Sequence, residues 1–170
     1  AAIQVVVAAA NKVEDYATSS TNSAPTLVDY QNLGMLDNTG TVAQTNLLNS
    51  AVDSKVAAQV DSAPELAVLA NAVRVVQGSA LTAVTTDAGR TALLNALVAL
   101  GISGATTNNI ATIAANLVQA GASGTDTLAK LATIATVATQ AMASAAVSVL
   151  TTYAAEAANA TLPTLDHYLS

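Results

Sequence analysis

The sequence predicts an all-α fold: an elongated helical bundle module with no significant β-sheet. Three observations lead there. Apolar residues recur at three- and four-residue spacing, as in Ile3, Val6, Val7, Ala10, Val13 and Ala17, which is the period of one helix face. Residues 125–159 hold neither Gly nor Pro, so one helix of about 30 residues is the simplest reading there. Finally, the 170 residues include no Phe, no Trp and four Tyr. The core must then be Ala, Val, Leu and Ile, small side chains that let long helices approach closely but bury little area each, at about 25 cal/mol per Å2.

The elements follow in order. Residues 1–18 form an amphipathic helix that the polar run Thr18-Ser19-Ser20-Thr21-Asn22-Ser23 ends. Pro25 suits the first turn of a short helix with Leu27, Tyr30 and Leu33 on one face, and Gly34 stops it. Asp37-Asn38-Thr39-Gly40 is a turn held by local Asx hydrogen bonding. Residues 43–58, with Val42, Leu47, Leu48, Ala51, Val52 and Val56, make a further helix. Ser62-Ala63-Pro64-Glu65 opens the next, whose buried stripe is Leu66, Leu69, Val73 and Val76 and whose end is expected at Gly78. After a link around Leu81 and Val84, Thr86 or Asp87 caps a helix that points Leu93, Leu94, Leu97 and Leu100 inward before Gly101. Thr106 or Thr107 caps another, with Ile110, Ile113, Leu117 and Val118, closed by Gly121-Ala122-Ser123-Gly124. The long final helix would face inward with Leu128, Leu131, Ile134, Ala135, Ala138, Met142, Ala145, Val149 and Tyr153.

Repetition organises the chain. Ala24-Pro25-Thr26-Leu27-Val28-Asp29-Tyr30 returns 138 residues later as Leu162-Pro163-Thr164-Leu165-Asp166-His167-Tyr168, and Tyr16-Ala17 returns in the same order, 137 residues later, as Tyr153-Ala154. Self-similarity at a fixed period marks an array. Residues 1–24 then correspond to the end of a preceding repeat, 25–162 to one full module, and 163–170 to the start of the next. Within the module, Leu27, Tyr30, Leu33 and Gly34 match Leu94, Leu97, Leu100 and Gly101 at an offset of 67, and Leu66-Ala67-Val68-Leu69-Ala70 resembles Leu128-Ala129-Lys130-Leu131-Ala132 at 62. Two halves, 25–90 and 91–162, are one reading; chance self-matching of Ala/Leu/Val-rich sequence is the other.

Composition excludes several functions. Charged residues are 9% of the chain, and 11 acidic against 5 basic residues leave a net charge of −6, which disfavours nucleic acid and anionic lipid as partners. No cysteine is present, ruling out disulfides and thiolate metal sites and weakly favouring export. Thr, Ser and Asn interrupt every long apolar run, so no segment is expected to insert into a membrane. The start Ala1-Ala2-Ile3, without an initiator Met or charged n-region, reads as a processed or excised piece.

No residue set names a reaction. His167 is the only histidine and has no Cys or second His with which to hold zinc. Glu14-Asp15 and Asp53-Asp61 lack the further carboxylates of a calcium loop, and a surface calcium contact at Asp37 is a minor alternative to a plain turn. There is no Gly-x-Ser-x-Gly elbow, and Gly101-Ile102-Ser103-Gly104 and Gly121-Ala122-Ser123-Gly124 lack the phosphate-loop Lys. Asn159-Ala160-Thr161 fits a glycosylation acceptor, a pattern too common to carry weight. The expectation is no catalytic residue, no metal and no cofactor. The tyrosines all fall at module boundaries, where an apolar body with a polar tip suits a partly wet joint. The expected inter-module or inter-subunit surface is therefore Tyr16, Pro25, Leu27, Tyr30, Tyr153, Pro163, Leu165 and Tyr168, although ordinary core roles would place tyrosines there too.

Pro25-Thr26-Leu27-Val28-Asp29-Tyr30, then Leu33-Gly34, then Thr45-Asn46-Leu47-Leu48-Asn49-Ser50-Ala51-Val52, resembles the helical tandem repeats of giant bacterial surface adhesins. Such repeats run as a helix ending in Tyr-Ala, a Pro-Thr-Leu-x-Asp-Tyr segment, a Gly turn and an Asn-Leu-x-x-Asn-x-x-Val helix. The close match covers residues 1 to about 60. The resemblance implies a cell-surface or secreted protein, with many copies strung end to end for attachment, reach or biofilm matrix, and it carries no catalytic residues. Its implied partners are neighbouring copies of the same module. The alternative is a self-assembling subunit of an extracellular filament, in which residues 163–170 dock on the next chain.

Overall fold

The computed structural model describes residues 2–155 and 164–168. It is an all-α bundle: α1 (Ala2–Thr18), α2 (Leu27–Asn32), α3 (Val42–Asp53), α4 (Ala63–Leu81), α5 (Asp87–Ala99), α6 (Ile110–Ala120), α7 (Leu128–Ala155) and α8 (Leu165–Tyr168), with no strand among the described residues. Single turns of 3-10 helix precede α4 at Ala57–Gln59 and α7 at Ala122–Gly124.

Thr-centred caps start most helices. Thr26 Oγ1 accepts the Asp29 N–H at 3.3 Å while the Asp29 carboxylate accepts the Thr26 N–H at 2.7 Å. Thr41 and Gln44 exchange the same pair at 3.2 and 2.9 Å, and Thr106 and Asn109 at 3.4 and 2.8 Å. Each reciprocal pair satisfies two backbone donors that a helix start would otherwise leave bare. At α4 the Glu65 carboxylate accepts both the N–H and the O–H of Ser62, and at α5 Thr86 Oγ1 accepts the Gly89 N–H at 3.1 Å.

Two helices also stop alike. After α2 the Met35 N–H reaches the Tyr30 carbonyl and the Gly34 N–H reaches Gln31, both at 2.9 Å, with Gly34 at φ +70°. After α5 the Ile102 N–H reaches Leu97 and the Gly101 N–H reaches Val98, again at 2.9 Å, with Gly101 at φ +78°. Both are Schellman ends, which need the left-handed residue that glycine supplies. The offset of 67 is thus repeated in backbone geometry, and the buried pairs Tyr30/Met35 and Leu97/Ile102 occupy matching places.

Packing follows a recurring plan. α1 contacts α2 and α3, which touch each other; α4 contacts α5 and α6, which also touch; α7 contacts α8. α4 packs against α3 as well, and α7 against α6 and, less extensively, α3. One apolar cluster runs through α1 to α7, with Val13, Tyr30, Leu47, Leu48, Val52, Val76, Leu93, Leu97, Ile113, Leu117 and Leu131 fully enclosed. Arg90 lies in the first turn of α5, so a division at 90/91 cuts that helix.

Several details differ from the sequence reading. Gly78 does not end α4, which runs to Leu81: Val76, Gln77, Ser79 and Ala80 beside it are buried, and their packing outweighs the entropic cost of one helical glycine. α3 stops at Asp53, where Ser54 Oγ donates to the Ala51 carbonyl, so Val56 falls beyond it and is exposed. On α7 the inward residue is Ala146, while Ala145 and Val149 face out. α7 is also long and apolar enough to cross a membrane by length and composition; its Thr and Ser residues interrupt apolar runs without making the helix strongly polar.

Gly34 and Gly78 should respond oppositely to Ala. Neither added Cβ would meet an atom within 4 Å, so conformation alone decides. Gly34→Ala is expected to destabilise by about 1–2 kcal/mol, the left-handed penalty, and Gly78→Ala to stabilise by about 0.5–1 kcal/mol, the helix-propensity gain. Urea unfolding followed by circular dichroism measures both.

Candidate functional site

The residues expected at a joint divide into two groups. Tyr16, Pro25, Leu27 and Tyr30 gather where α1, α2 and α3 meet, with Tyr16 and Leu27 partly buried against the core. Tyr30 is 0% exposed and donates its hydroxyl to Asn49 Oδ1 at 2.7 Å; Asn49 in turn donates to the Pro25 carbonyl at 3.0 Å. This chain of bonds ties α2 and the segment before it to α3. Lys12 closes the other side, pairing with Asp29 at 2.8 Å and linking α1 to the α2 cap. Tyr153 is half-buried on α7, and Leu165 on α8 is exposed. Pro163 and the side chains of His167 and Tyr168 lie outside the described residues.

The electrostatics of the first group follow from burial. Desolvation pushes the Tyr30 phenol well above its ordinary value, with Tyr16 and Asp29 adding to the shift. Tyr16 is raised by burial and then by Asp53. Asp29 loses some solvation, which opposes ionisation, but its hydrogen bonds from Lys12 and Thr26 prevail and lower it. These are the marks of a clasp, not of proton-transfer groups poised near neutrality.

A different feature was not visible in the sequence. Burial on α4 runs from Leu66 and Leu69 at one end to Val76 and Ala80 at the other. Among the described side chains of α1, only Ala9, Val13 and Ala17 are buried, and toward its N-terminal end Ile3 is 79% exposed and Val5, Val6 and Val7 are exposed too. On α7 the pattern is reversed. Leu131, Ala135 and Ala138 are buried, Asn109 at the start of α6 donates to Thr139 Oγ1 at 3.0 Å, and α7 then continues past α6 with Val147 62% exposed. Apolar faces therefore lie open at the N-terminal half of α1 and the C-terminal half of α7. Only the packing partners of each helix reveal this, because all three long helices carry apolar stripes.

Other concave surfaces are open, and more of their lining is apolar than polar. A groove of about 560 Å3 lies between the start of α3, the C-terminal half of α4 and the turn before α7, lined by Thr41, Gln44, Asn46, Arg74, Gln77 and Asp126 among others. Gln77 is 2% exposed and donates to the Thr125 carbonyl at 2.9 Å, while its Oε1 has no hydrogen-bond partner. Asp126 is held low by Lys130, 2.7 Å away. No nucleophile and base are paired in this groove. Among the described residues no three His, Cys, Asp or Glu side chains converge as metal ligands. Asp37 Oδ1 accepts from the N–H and hydroxyl of Thr39 at 2.8 and 2.6 Å, forming an Asx turn.

The chain matches no protein-family model, no curated protein and no solved structure.

The Tyr30 clasp has a pH signature. Because the folded-state value lies above the unfolded one of about 10, its contribution is complete below pH about 10 and is lost as pH rises beyond it. Tyrosine absorbance at 295 nm should show one phenol that ionises only as the protein unfolds. Tyr30→Phe should cost about 1 kcal/mol at neutral pH, the usual worth of one hydrogen bond, and should flatten the alkaline loss of stability. An unchanged alkaline slope in the variant would contradict this assignment.

Proposed function

We propose that this chain is a non-catalytic structural or adhesive module of a bacterial cell-surface or extracellular repeat protein, stacked end to end into an extended array. The observation that carries the reading is the pair of open apolar faces on the first and last long helices, beside a middle helix of the same plan that is covered along its length. Apolar surface exposed in one place and covered in its internal counterpart marks an interaction surface. In a quasi-one-dimensional array, neighbouring units cover such faces. The 138-residue return of the Pro-Thr-Leu segment, the resemblance of residues 1–60 to surface-adhesin repeats, and the lack of cysteine support the same reading. A charge-poor surface of Thr, Ser and Asn, with no assembled nucleophile, base or metal ligands among the described residues, favours a scaffold over an enzyme.

The second reading, a filament subunit that docks through its last residues, uses the same open faces. α8 weighs against it, since this segment folds onto α7 of its own chain.

Two measurements test the array. The natural polypeptide, denatured and weighed, should be far larger than the 16.8 kDa of this chain and should fractionate with cell-surface or extracellular material. Covalent concatemers of two, three and four copies should appear in electron micrographs as rods whose length grows by a constant step. A natural species near 16.8 kDa, or concatemers that form freely jointed beads, would reject the reading.

A further inference from the structure

The three long helices carry one ridge in common. α1 has Ala9, Val13 and Ala17, α4 has Ala72, Val76 and Ala80, and α7 has Ala146, Leu150 and Ala154. In each, Ala-x-x-x-Val/Leu-x-x-x-Ala places small side chains on both sides of a larger one along a single helix face. Each ridge precedes a Thr at the start of a shorter helix: Thr26, Thr86 and Thr164. On α1 and α4 the ridge is buried, and each of these helices packs against a short following helix and then a second one, α3 or α6. On α7 the first partner, α8, is present and Ala146 is buried, but farther along the ridge Leu150 is only partly covered and Ala154 is exposed, as is Val147 on the adjoining face. The second partner is the one without a counterpart.

α3 and α6 define what that partner must be. Each begins after a Thr whose cap is reciprocated by an amide three residues on, Thr41 with Gln44 and Thr106 with Asn109. Each buries an apolar side chain seven and eleven residues beyond that Thr, Leu48 and Val52 in one and Ile113 and Leu117 in the other. These residues share a helix face. We infer that residues 140–155 of α7 are the seat for one more helix of this kind, so that α7 ends one unit and begins the next, as α4 does. The joint between units is then a shared continuous helix rather than two docked surfaces. This inference rests on the array reading and specifies its partner. A bilayer fits the seat poorly. Sixteen helical residues span about 24 Å, short of a hydrocarbon core of about 30 Å, and the first part of α7 is already covered by α6.

The test extends the full chain after Ser170 with a second copy of residues 33–62, which continues the 138-residue register and supplies another α3. Amide hydrogen exchange of residues 140–155 is then compared with that of the unextended chain. Slowing by tenfold or more is expected in the extended chain, and no slowing when the appended copies of Leu48 and Val52 are both Asp. Leu150→Asp should leave exchange in α1–α6 unchanged yet abolish the gain, which separates loss of the seat from general unfolding. Equal exchange with and without the extension would overturn the inference. So would protection of 140–155 in the unextended chain that rises with protein concentration, meaning that a second copy covers the seat, or that appears only with phosphatidylcholine–phosphatidylglycerol vesicles. The array reading itself stands or falls separately, on the mass of the natural polypeptide and the rod lengths.

Discussion

The fold depends on burying small-residue ridges on long helices. Alanine contributes little transfer free energy, and in a core without Phe or Trp, Tyr30 is the one fully enclosed aromatic among the described residues. Close approach compensates: Ala72 and Ala80 flanking Val76, and Ala9 and Ala17 flanking Val13, leave room for a neighbouring helix to seat its Leu, Ile and Val side chains against the ridge. Because each contact is modest, a ridge needs two covering helices. This explains why a short helix and a second helix follow α1 and α4.

Close seating requires the short elements to be aimed accurately, and side-chain hydrogen bonds do this. Reciprocal caps at Thr26 and Thr41 set where α2 and α3 begin, the Thr106–Asn109 pair holds the turn that leads into α6, and the Schellman ends at Gly34 and Gly101 set where α2 and α5 stop. At the start of α7, Ser50 Oγ of α3 accepts the Leu128 N–H at 3.1 Å and Gln77 of α4 donates to the Thr125 carbonyl. Both bonds satisfy backbone groups near the start of α7, where an unpaired group would be costly. Polar residues here act as fasteners of the backbone. That use accounts for a sequence rich in Thr, Ser and Asn yet poor in charge.

Coverage also separates the terminal helices from the middle one. α4, α1 and α7 bear the same ridge but differ in their surroundings, so their exposure differs without any difference in sequence logic. On α7 an exposed Val147 stands beside a buried Ala146, so the two sides of this nearly uniform helix differ in coverage.

Local chemistry made the helices legible: the 3.6-residue period, the Thr and Ser caps, and the glycines at 34, 101 and 121 marked most elements within a few residues. The exceptions have one cause. Gly78 sits inside α4, and Ala146 rather than Ala145 turns inward on α7, because tertiary neighbours decide whether a weak local signal is obeyed and which side of a nearly uniform apolar helix is covered. Tyr30 looked like a surface joint from its place at a repeat boundary, yet packing encloses it within α1, α2 and α3 and ties it to Asn49. Sequence alone determined the helical class, since this follows from periodicity and capping along the chain. Which faces are buried and which stay open was decided only by tertiary structure, because burial depends on the neighbours a helix acquires.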